Sequence, residues 1–234
     1  QVEVTNVTDR LLFMPIFDSD IRIQGARGGR DCLPYRNADG LLESVTGWTL
    51  IDWASVYSSG CSSALNALWA RALEDLADLA GWLGNEGTSA WARERYAEVR
   101  GAFDAFWDDE RDRYADHLVD GVRQVVAAQH GGAAALAAGL VPDDRVDRVV
   151  ARLTDRARLV RHSWVMDTAT VDKANSGQAY LAFGYPEPDW DVDGQMVACE
   201  PFFRYVLHDG LARAGQADLI VDQCRDWQVF VDAG

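Results

Sequence analysis

The stretch Ser62-Ser-Ala-Leu-Asn-Ala-Leu-Trp-Ala-Arg-Ala-Leu-Glu-Asp-Leu-Ala-Asp-Leu-Ala-Gly-Trp-Leu83 decides the fold class of this chain. Its larger apolar residues recur at intervals of three and four, at Leu65, Leu68, Trp69, Leu73, Leu76, Leu79 and Leu83. This spacing places them on one face of an amphipathic helix. The following Gly84-Asn-Glu-Gly87 segment predicts where the helix ends.

A second helix is predicted from about Ser89 to Trp107, because apolar residues again share one face and charged residues lie opposite. The apolar face consists of Ala92, Tyr96, Val99, Phe103 and Phe106. The short connection between the two helices predicts a helical hairpin.

Further helices are predicted along the rest of the chain, after a turn and a short extended segment from Asp108 to Asp120. Their ranges are Gln129–Gly139, a helix opened by Pro142, about Thr170–Phe183, Pro201–Ala214 and Gln216 to about Phe230. Convincing strand alternation is almost absent, so the pattern predicts an all-α architecture of stacked helical hairpins. Residues 1–40 are predicted to be an irregular lead-in, and residues 41–234 the helical domain.

The charge balance excludes some classes of partner. The chain carries a formal net charge of −15, with 37 acidic residues and only one lysine, Lys173. A field this negative repels phosphate backbones, so we expect no nucleic-acid partner. No apolar run approaches the ~20 residues of a membrane span, so we expect no membrane partner either. The excess of Asp over Lys favours a salt-rich source, with Arg-for-Lys bias from a GC-rich genome as the alternative.

Cysteine spacing and acidic runs indicate neither a metal nor a cofactor. The cysteines at 32, 61, 199 and 224 form no Cys-x-x-Cys pair, so buried free thiols are the expected state. The run Asp108-Asp-Glu-Arg-Asp112 matches a magnesium-diphosphate pattern, but interleaved arginines after a helix end favour a solvated turn.

The loop before the first helix carries the residues best suited to binding a sugar. Trp48, Asp52 and Trp53 lie within six residues, and Glu43 precedes them. Flat indole faces pack against the C–H side of a pyranose ring, and carboxylates accept hydrogen bonds from its hydroxyl groups. The alternative is a buried tryptophan pair, with Asp52 capping or hydrogen-bonding the backbone.

Several motifs occur in the order found in bacterial and archaeal α-L-rhamnosidases. They are Gly47-Trp-Thr-Leu-Ile-Asp-Trp53, Ser63-Ala-Leu-Asn-Ala-Leu-Trp69, Phe106-Trp-Asp-Asp-Glu-Arg-Asp-Arg-Tyr-Ala-Asp116, Gln129-His-Gly-Gly132 and Glu200-Pro-Phe-Phe-Arg-Tyr-Val-Leu207. Together they make the chain resemble the catalytic domain of that family from about Asp39 to Gly234. The resemblance implies an (α/α)6 toroid of six helical hairpins, incomplete in this chain.

The resemblance also implies an inverting mechanism with two carboxyl groups. Within this chain, the candidate substrate-binding residues are Trp48, Trp53, Gln129, His130 and Glu43. The candidate catalytic carboxylates are Asp52 and Glu200, with Glu200 as a sugar ligand or a stand-in carboxylate. His130 has packing in the core as an equal alternative, and Glu200 has an N-terminal helix cap. In the family the general acid lies well before the Trp-rich loop and the base lies just beyond the segment matched here. Neither is recognisable in this chain.

Three hypotheses for function follow from this resemblance. The first is a glycosidase that hydrolyses terminal α-L-rhamnosyl or related residues without cofactor or metal. The second is a non-catalytic carbohydrate-binding remnant of such a domain. The third is another six-hairpin glycosidase, such as a glycuronyl hydrolase, since one fold supports several activities. Under the first hypothesis, Asp52→Ala is expected to abolish sugar binding and leave helicity intact. The same Trp and Asp residues would serve the second, whereas the third would use other pocket residues.

Overall fold

The first long element of the fold is helix α1, Ser63–Trp82, which follows the short strand β1, Cys61–Ser62. The computed structural model describes residues 35–45, 51–162 and 187–233. The Ser62 hydroxyl accepts a hydrogen bond from the Leu65 N–H and so caps the helix. Gly84 has a φ of +71° just beyond the end of α1, a conformation that glycine adopts without strain.

Helix α2, Glu86–Ala102, packs against α1 and completes the predicted hairpin. It begins three residues before the predicted start because the Asn85 side chain accepts a hydrogen bond from the Thr88 N–H and caps the helix earlier. It also ends before Trp107, since the backbone tightens into a 3-10 turn at Phe103–Phe106 and then becomes extended.

Two small antiparallel hairpins follow, in the segment predicted to be a turn and an extended excursion. Strands β2, Trp107–Asp108, and β3, Arg113–Tyr114, pair with each other. Strands β4, His117–Val119, and β5, Val122–Arg123, form a sheet with β1 in the order β1-β4-β5. A further pair, β6, Leu159–Val160, and β7, Met196–Val197, is parallel.

Helix α3, Gln129–Ala137, is the centre of the described fold, because every one of its residues is buried. It packs against α1 and against α4, Val146–Thr154. The sequence predicts an apolar stripe of Val146, Val149, Val150 and Leu153 on α4. The last three are buried, Val146 is partly buried, and Asp147 is exposed. A fully buried helix needs small residues where neighbouring elements approach closely, which explains the glycines and alanines of α3.

Helix α5, Arg204–Arg213, lies against α3 and is followed by α6, Ala217–Cys224, and α7, Gln228–Asp232. Helices α3 and α5 approach each other closely at Gly210. A Cβ atom there would lie 2.8 Å from the Ala133 carbonyl oxygen and 2.9 Å from the Leu136 Cβ atom. The absence of a side chain at Gly210 therefore sets the distance between α3 and α5.

We expect Gly210→Ala to lower the free energy of unfolding by about 1 to 3 kcal/mol, because backbone atoms of α3 cannot move away from a new methyl group. Gly101→Ala is the matched control, since nothing lies within 4 Å of a Cβ atom at that helical glycine. The control should raise the free energy of unfolding by up to about 1 kcal/mol through helix propensity. Urea denaturation measures both changes, and a stabilising Gly210→Ala would contradict the close approach.

The prediction of an all-α class is confirmed, and six of the seven predicted helices fall on helical segments. The seventh, about Thr170 to Phe183, lies outside the described residues, as does most of the predicted lead-in. The expectation that the cysteines are buried is wrong for Cys224, which is exposed, whereas Cys61 and Cys199 are buried and free. No helix among the described residues is both long and apolar enough to span a bilayer.

Candidate functional site

Asp52 is a buried carboxylate that joins three distant parts of the chain. Its Oδ2 atom accepts hydrogen bonds from the His130 Nε2 atom, at 2.7 Å, and from the Glu200 N–H, at 2.8 Å. Its Oδ1 atom accepts a 2.8 Å hydrogen bond from the N–H of Trp53. Only 3% of Asp52 is exposed. The structure therefore brings together four of the residues predicted to form the site: Asp52 itself, Trp53, His130 and Glu200.

His130 enters this network from the first turn of α3. Its imidazole is fully buried, and its ring centroid lies 4.5 Å from that of Phe203. Because Nε2 faces a carboxylate oxygen, this nitrogen carries the hydrogen. The Nδ1 atom has no hydrogen-bond partner among the described residues. The packing against Phe203 and the bond to Asp52 fix the orientation of the ring.

Gln129 holds the segment that leads to Glu200. Its amide nitrogen donates to the Leu153 carbonyl oxygen at 2.6 Å, and its amide oxygen accepts from the Cys199 N–H at 2.7 Å. The side chain is buried, so both of these bonds are made away from solvent. Gln129 therefore positions the backbone next to Glu200.

Trp53 and Glu200 are the members of the group that reach solvent. Trp53 is 52% exposed, so the alternative of a buried tryptophan pair does not hold for it. The other part of that alternative does hold, because the buried Asp52 side chain accepts hydrogen bonds from the backbone. Glu200 is partly buried. It does not cap α5, because the N-cap residue of that helix is Phe203 and no side chain caps it. Their backbone N–H groups bind opposite oxygens of Asp52, which makes the two residues neighbours.

Of the two remaining predicted site residues, only Glu43 is described by the structure, and it is not among the hydrogen-bond partners of Asp52. Glu43 lines a cavity of about 750 Å³ together with Asp39, Glu98 and Asp104. Trp48 lies outside the described residues. Another cavity, of about 460 Å³, lies between α1, α3 and α5 and contains none of the predicted site residues. Among the described residues, no group of three or more His, Cys, Asp or Glu side chains is arranged to hold a metal ion.

Asp116 is a second buried carboxylate. It ends one of the motifs that resemble rhamnosidases, but the sequence analysis assigns it no role. Its Oδ1 atom accepts a 2.6 Å hydrogen bond from the Ala128 N–H, and its Oδ2 atom a 3.1 Å hydrogen bond from the Tyr57 N–H. Burial raises the pKa of Asp116 to about 6, although these two backbone bonds oppose the shift. Asp116 thus fixes the residues immediately before Gln129 and His130.

We expect Asp116 to make the free energy of unfolding fall as the pH rises from about 4 to about 6. In this window the unfolded chain has released the proton that the folded protein keeps, so the folded state binds more protons. The fall attributable to this group is about 3 kcal/mol. Urea denaturation at several pH values should show the fall, and Asp116→Asn should lack it. A difference between the two proteins that is independent of pH would contradict the raised pKa.

A further polar cluster, also absent from the sequence prediction, connects the same loop to β6. The Ser55 hydroxyl lies 2.6 Å from the His162 Nδ1 atom, and the Ser55 N–H donates to the His162 carbonyl oxygen at 2.9 Å. Asp189 and Trp190 contact the same imidazole. Ser55 is buried, so the cluster fastens the loop and does not present a nucleophile to solvent.

Comparison with known proteins agrees with a glycosidase fold. The structure is similar to a GH78 family rhamnosidase of Bacillus sp. GL1, with a TM-score of 0.62 and 21% identity, over 84% of this chain and 17% of that chain. It is also similar to a rhamnosidase from Klebsiella oxytoca with rhamnose bound, with a TM-score of 0.59 and 17% identity, over 86% of this chain and 31% of that chain. The likeness is one of fold, and this chain spans less than a third of either protein.

No functionally curated protein matches the sequence. The model of one protein family does match, over residues 46–190, and this segment carries Asp52, Trp53, Asp116 and His130. The rhamnosidase-like fold predicted from the sequence motifs is therefore confirmed, and so is the glycoside hydrolase class. The chain belongs to the family of the mannosylglycerate hydrolase MGH1-like glycoside hydrolase domain.

Proposed function

We propose that this protein hydrolyses glycosides and removes a terminal α-L-rhamnosyl or related residue by an inverting, two-carboxylate mechanism. The observation that carries the proposal is that the buried Asp52 carboxylate binds the backbone N–H groups of both Trp53 and Glu200. The side chain of Trp53 is 52% exposed and that of Glu200 is partly buried. An indole face and a nearby carboxylate are the two groups that a pyranose ring requires of its site. Family membership and the rhamnosidase-like fold support the reaction class.

The geometry supports different roles for the two carboxylates. Asp52 is buried and accepts three hydrogen bonds, so its oxygens are occupied by protein donors. We assign it a positioning role, because it fixes the backbone of Trp53 and Glu200 at once. Glu200 is the carboxylate of the pair that reaches solvent, and we assign its side chain to the sugar.

An inverting glycosidase needs two carboxyl groups about 6.5 to 9.5 Å apart, one to protonate the leaving oxygen and one to activate water. The resemblance to rhamnosidases places the acid before the Trp-rich loop and the base after the segment of the chain matched here. Glu200 then acts on the same sugar either as a carboxylate ligand beside that pair or as a stand-in for one of its members, where this chain departs from the rhamnosidase pattern. The full-length protein is therefore the material for the test.

The test is the release of an aryl group from a panel of aryl glycosides. We expect p-nitrophenyl α-L-rhamnoside to be the preferred substrate, and NMR of the first product to show the β-anomer, because inversion changes the anomeric configuration. Retention of configuration would overturn the mechanism. Sugar binding in calorimetry without release of the aryl group would instead indicate a non-catalytic binding remnant.

A second candidate substrate is a mannosyl glycerate, which the name of the matching family suggests. This substrate is an anion, and the chain has a net charge of −15, which lowers the local concentration of anions. The overall charge therefore favours a neutral rhamnoside. Preferential hydrolysis of mannosylglycerate, or of an aryl glucuronide, over the rhamnoside would reverse this choice.

A further inference from the structure

Two buried arginines, Arg113 on β3 and Arg152 on α4, lie on the wall of one small cavity. Arg113 is 2% exposed and Arg152 is 6% exposed. The cavity measures about 10 Å³ and is also lined by Ala128 and Gly132 of α3 and by Met196 of β7. It therefore lies where four elements of the fold meet, beneath the helix that carries His130.

Both guanidinium groups bind the carbonyl oxygens of a single turn. Arg113 donates to the Gln195 carbonyl oxygen at 2.7 Å and also to that of Val192. Arg152 donates to the Gly194 carbonyl oxygen at 2.9 Å. These bonds satisfy part of each guanidinium group and leave its positive charge in place. They hold two like charges against residues 192–195. Arg113 also donates to the Val125 carbonyl oxygen, at 2.9 Å.

Three buried N–H groups of these arginines have no hydrogen-bond partner among the described residues: Nε and Nη1 of Arg152, and Nε of Arg113. Within the same part of the chain, neither guanidinium forms an ion pair with a carboxylate. Asp112 also lines the cavity, but its carboxylate accepts a 2.6 Å hydrogen bond from Arg148.

The surroundings of Arg113 and Arg152 lower the pKa values of both guanidinium groups. Burial, followed by the charge of Arg152, lowers the pKa of Arg113 to about 10. Burial likewise lowers the pKa of Arg152. The charges of Asp108 and Asp116 oppose the shift at Arg113 but do not cancel it. A guanidinium group remains charged at neutral pH even so, and a buried charge that is only partly compensated is unfavourable.

We propose that the cavity between Arg113 and Arg152 binds one small monatomic anion, chloride, which completes the hydrogen bonds of both guanidinium groups. A cavity of about 10 Å³ is close to the space that one water molecule requires, which excludes carboxylates and larger anions. The bound anion joins β3, α3, α4 and β7 and neutralises part of the buried charge. This site is distinct from the sugar site and does not depend on the proposed function.

Thermal denaturation in matched salts tests the site. The full-length protein is heated in sodium gluconate while chloride replaces gluconate at constant ionic strength, so that general screening by salt stays the same. We expect the Tm to rise by about 5 °C and to saturate, because a ligand that binds only the folded state stabilises it. Coincident denaturation curves in the two salts would overturn the proposal.

Arg152→Gln should abolish the chloride-dependent rise, since it removes one of the two charges. Arg156→Gln is the matched control, because Arg156 is an exposed arginine that pairs with Asp222 and Asp226. Arg156→Gln should keep the full chloride-dependent rise in Tm. Loss of the rise in this control would indicate a general effect of charge and would contradict the proposed site.

A crystal of the unaltered protein grown in bromide gives a second readout that does not need a folded variant. We expect an anomalous peak between the guanidinium groups of Arg113 and Arg152. An occupied cavity without anomalous signal would identify a water molecule and overturn the proposal.

Discussion

Asp52→Ala is expected to lower the free energy of unfolding by about 3 to 5 kcal/mol, the loss typical of removing one partner from a buried ionic contact. The substitution leaves the His130 Nε2 atom and the N–H of Glu200 without the acceptor that binds them at 2.7 and 2.8 Å. Both donors are buried or partly buried, so water does not replace the carboxylate without a cost. Urea denaturation measures the change.

Asp78→Ala is the control for this prediction, because Asp78 is an exposed aspartate on α1 whose partner is the equally exposed Arg93. Its effect should stay within about 0.5 kcal/mol. A loss below about 1 kcal/mol for Asp52→Ala would show that the carboxylate does not hold the loop. The sequence alone predicted that this variant keeps its helicity and loses sugar binding, whereas the geometry adds a large loss of stability.

A double-mutant cycle measures the direct interaction between Asp52 and His130 apart from their contacts with other residues. If Asp52 and His130 stabilise each other directly, Asp52→Ala and His130→Ala should be less damaging together than the sum of the single changes. The expected coupling is about 1 to 3 kcal/mol. Additive losses would mean that Asp52 acts only through the backbone N–H groups of Trp53 and Glu200.

The helices of this fold were predictable because local spacing determines them. The apolar stripe of α1 and that of α4 are read directly from intervals of three and four residues, and most of each stripe is buried. The exposed member is Leu83, which is 56% exposed just beyond the end of α1. Boundaries were less predictable. The start of α2 depends on a single hydrogen bond, which the Asn85 side chain accepts from the Thr88 N–H. The apolar spacing of the residues that follow does not reveal this cap.

The site was only partly predictable, because its contacts join residues far apart in the sequence. Asp52 and Trp53 were identified by their residue types, and His130 and Glu200 through the resemblance to rhamnosidases. Nothing in the sequence shows that the Asp52 carboxylate joins all of them. Asp116 stands in a segment that reads as an ordinary turn and strand. Its role arises from bonds to Tyr57 and Ala128 that only the folded chain makes.

The burial of Arg113 and Arg152 was not predictable for the same reason. A sequence with many arginines predicts exposed ion pairs, and most arginines of the described residues do form them. Burial of these two is set by the position of β3 and α4 around the turn at residues 192–195, which is a property of the tertiary fold.

Glu200→Gln is expected to lower kcat/KM for the preferred aryl glycoside by about 100-fold or more, the effect typical of losing a carboxylate that acts on the reacting sugar. The substitution keeps the shape of the side chain and removes its charge. The backbone N–H that binds Asp52 is unchanged, so stability should stay within about 0.5 kcal/mol of the unaltered protein. Initial rates over a range of substrate concentrations measure the effect.

The separate parameters then assign the role of Glu200. A lower kcat at unchanged KM indicates a group that acts in the transition state, whereas a higher KM at unchanged kcat indicates a ligand that binds substrate and transition state equally. Glu110→Gln is the control, because Glu110 is a highly exposed glutamate in the turn after β2. A Glu200→Gln enzyme with kcat/KM within threefold of the unaltered protein would remove Glu200 from the site, since a carboxylate that contacts the sugar cannot lose its charge at so small a cost.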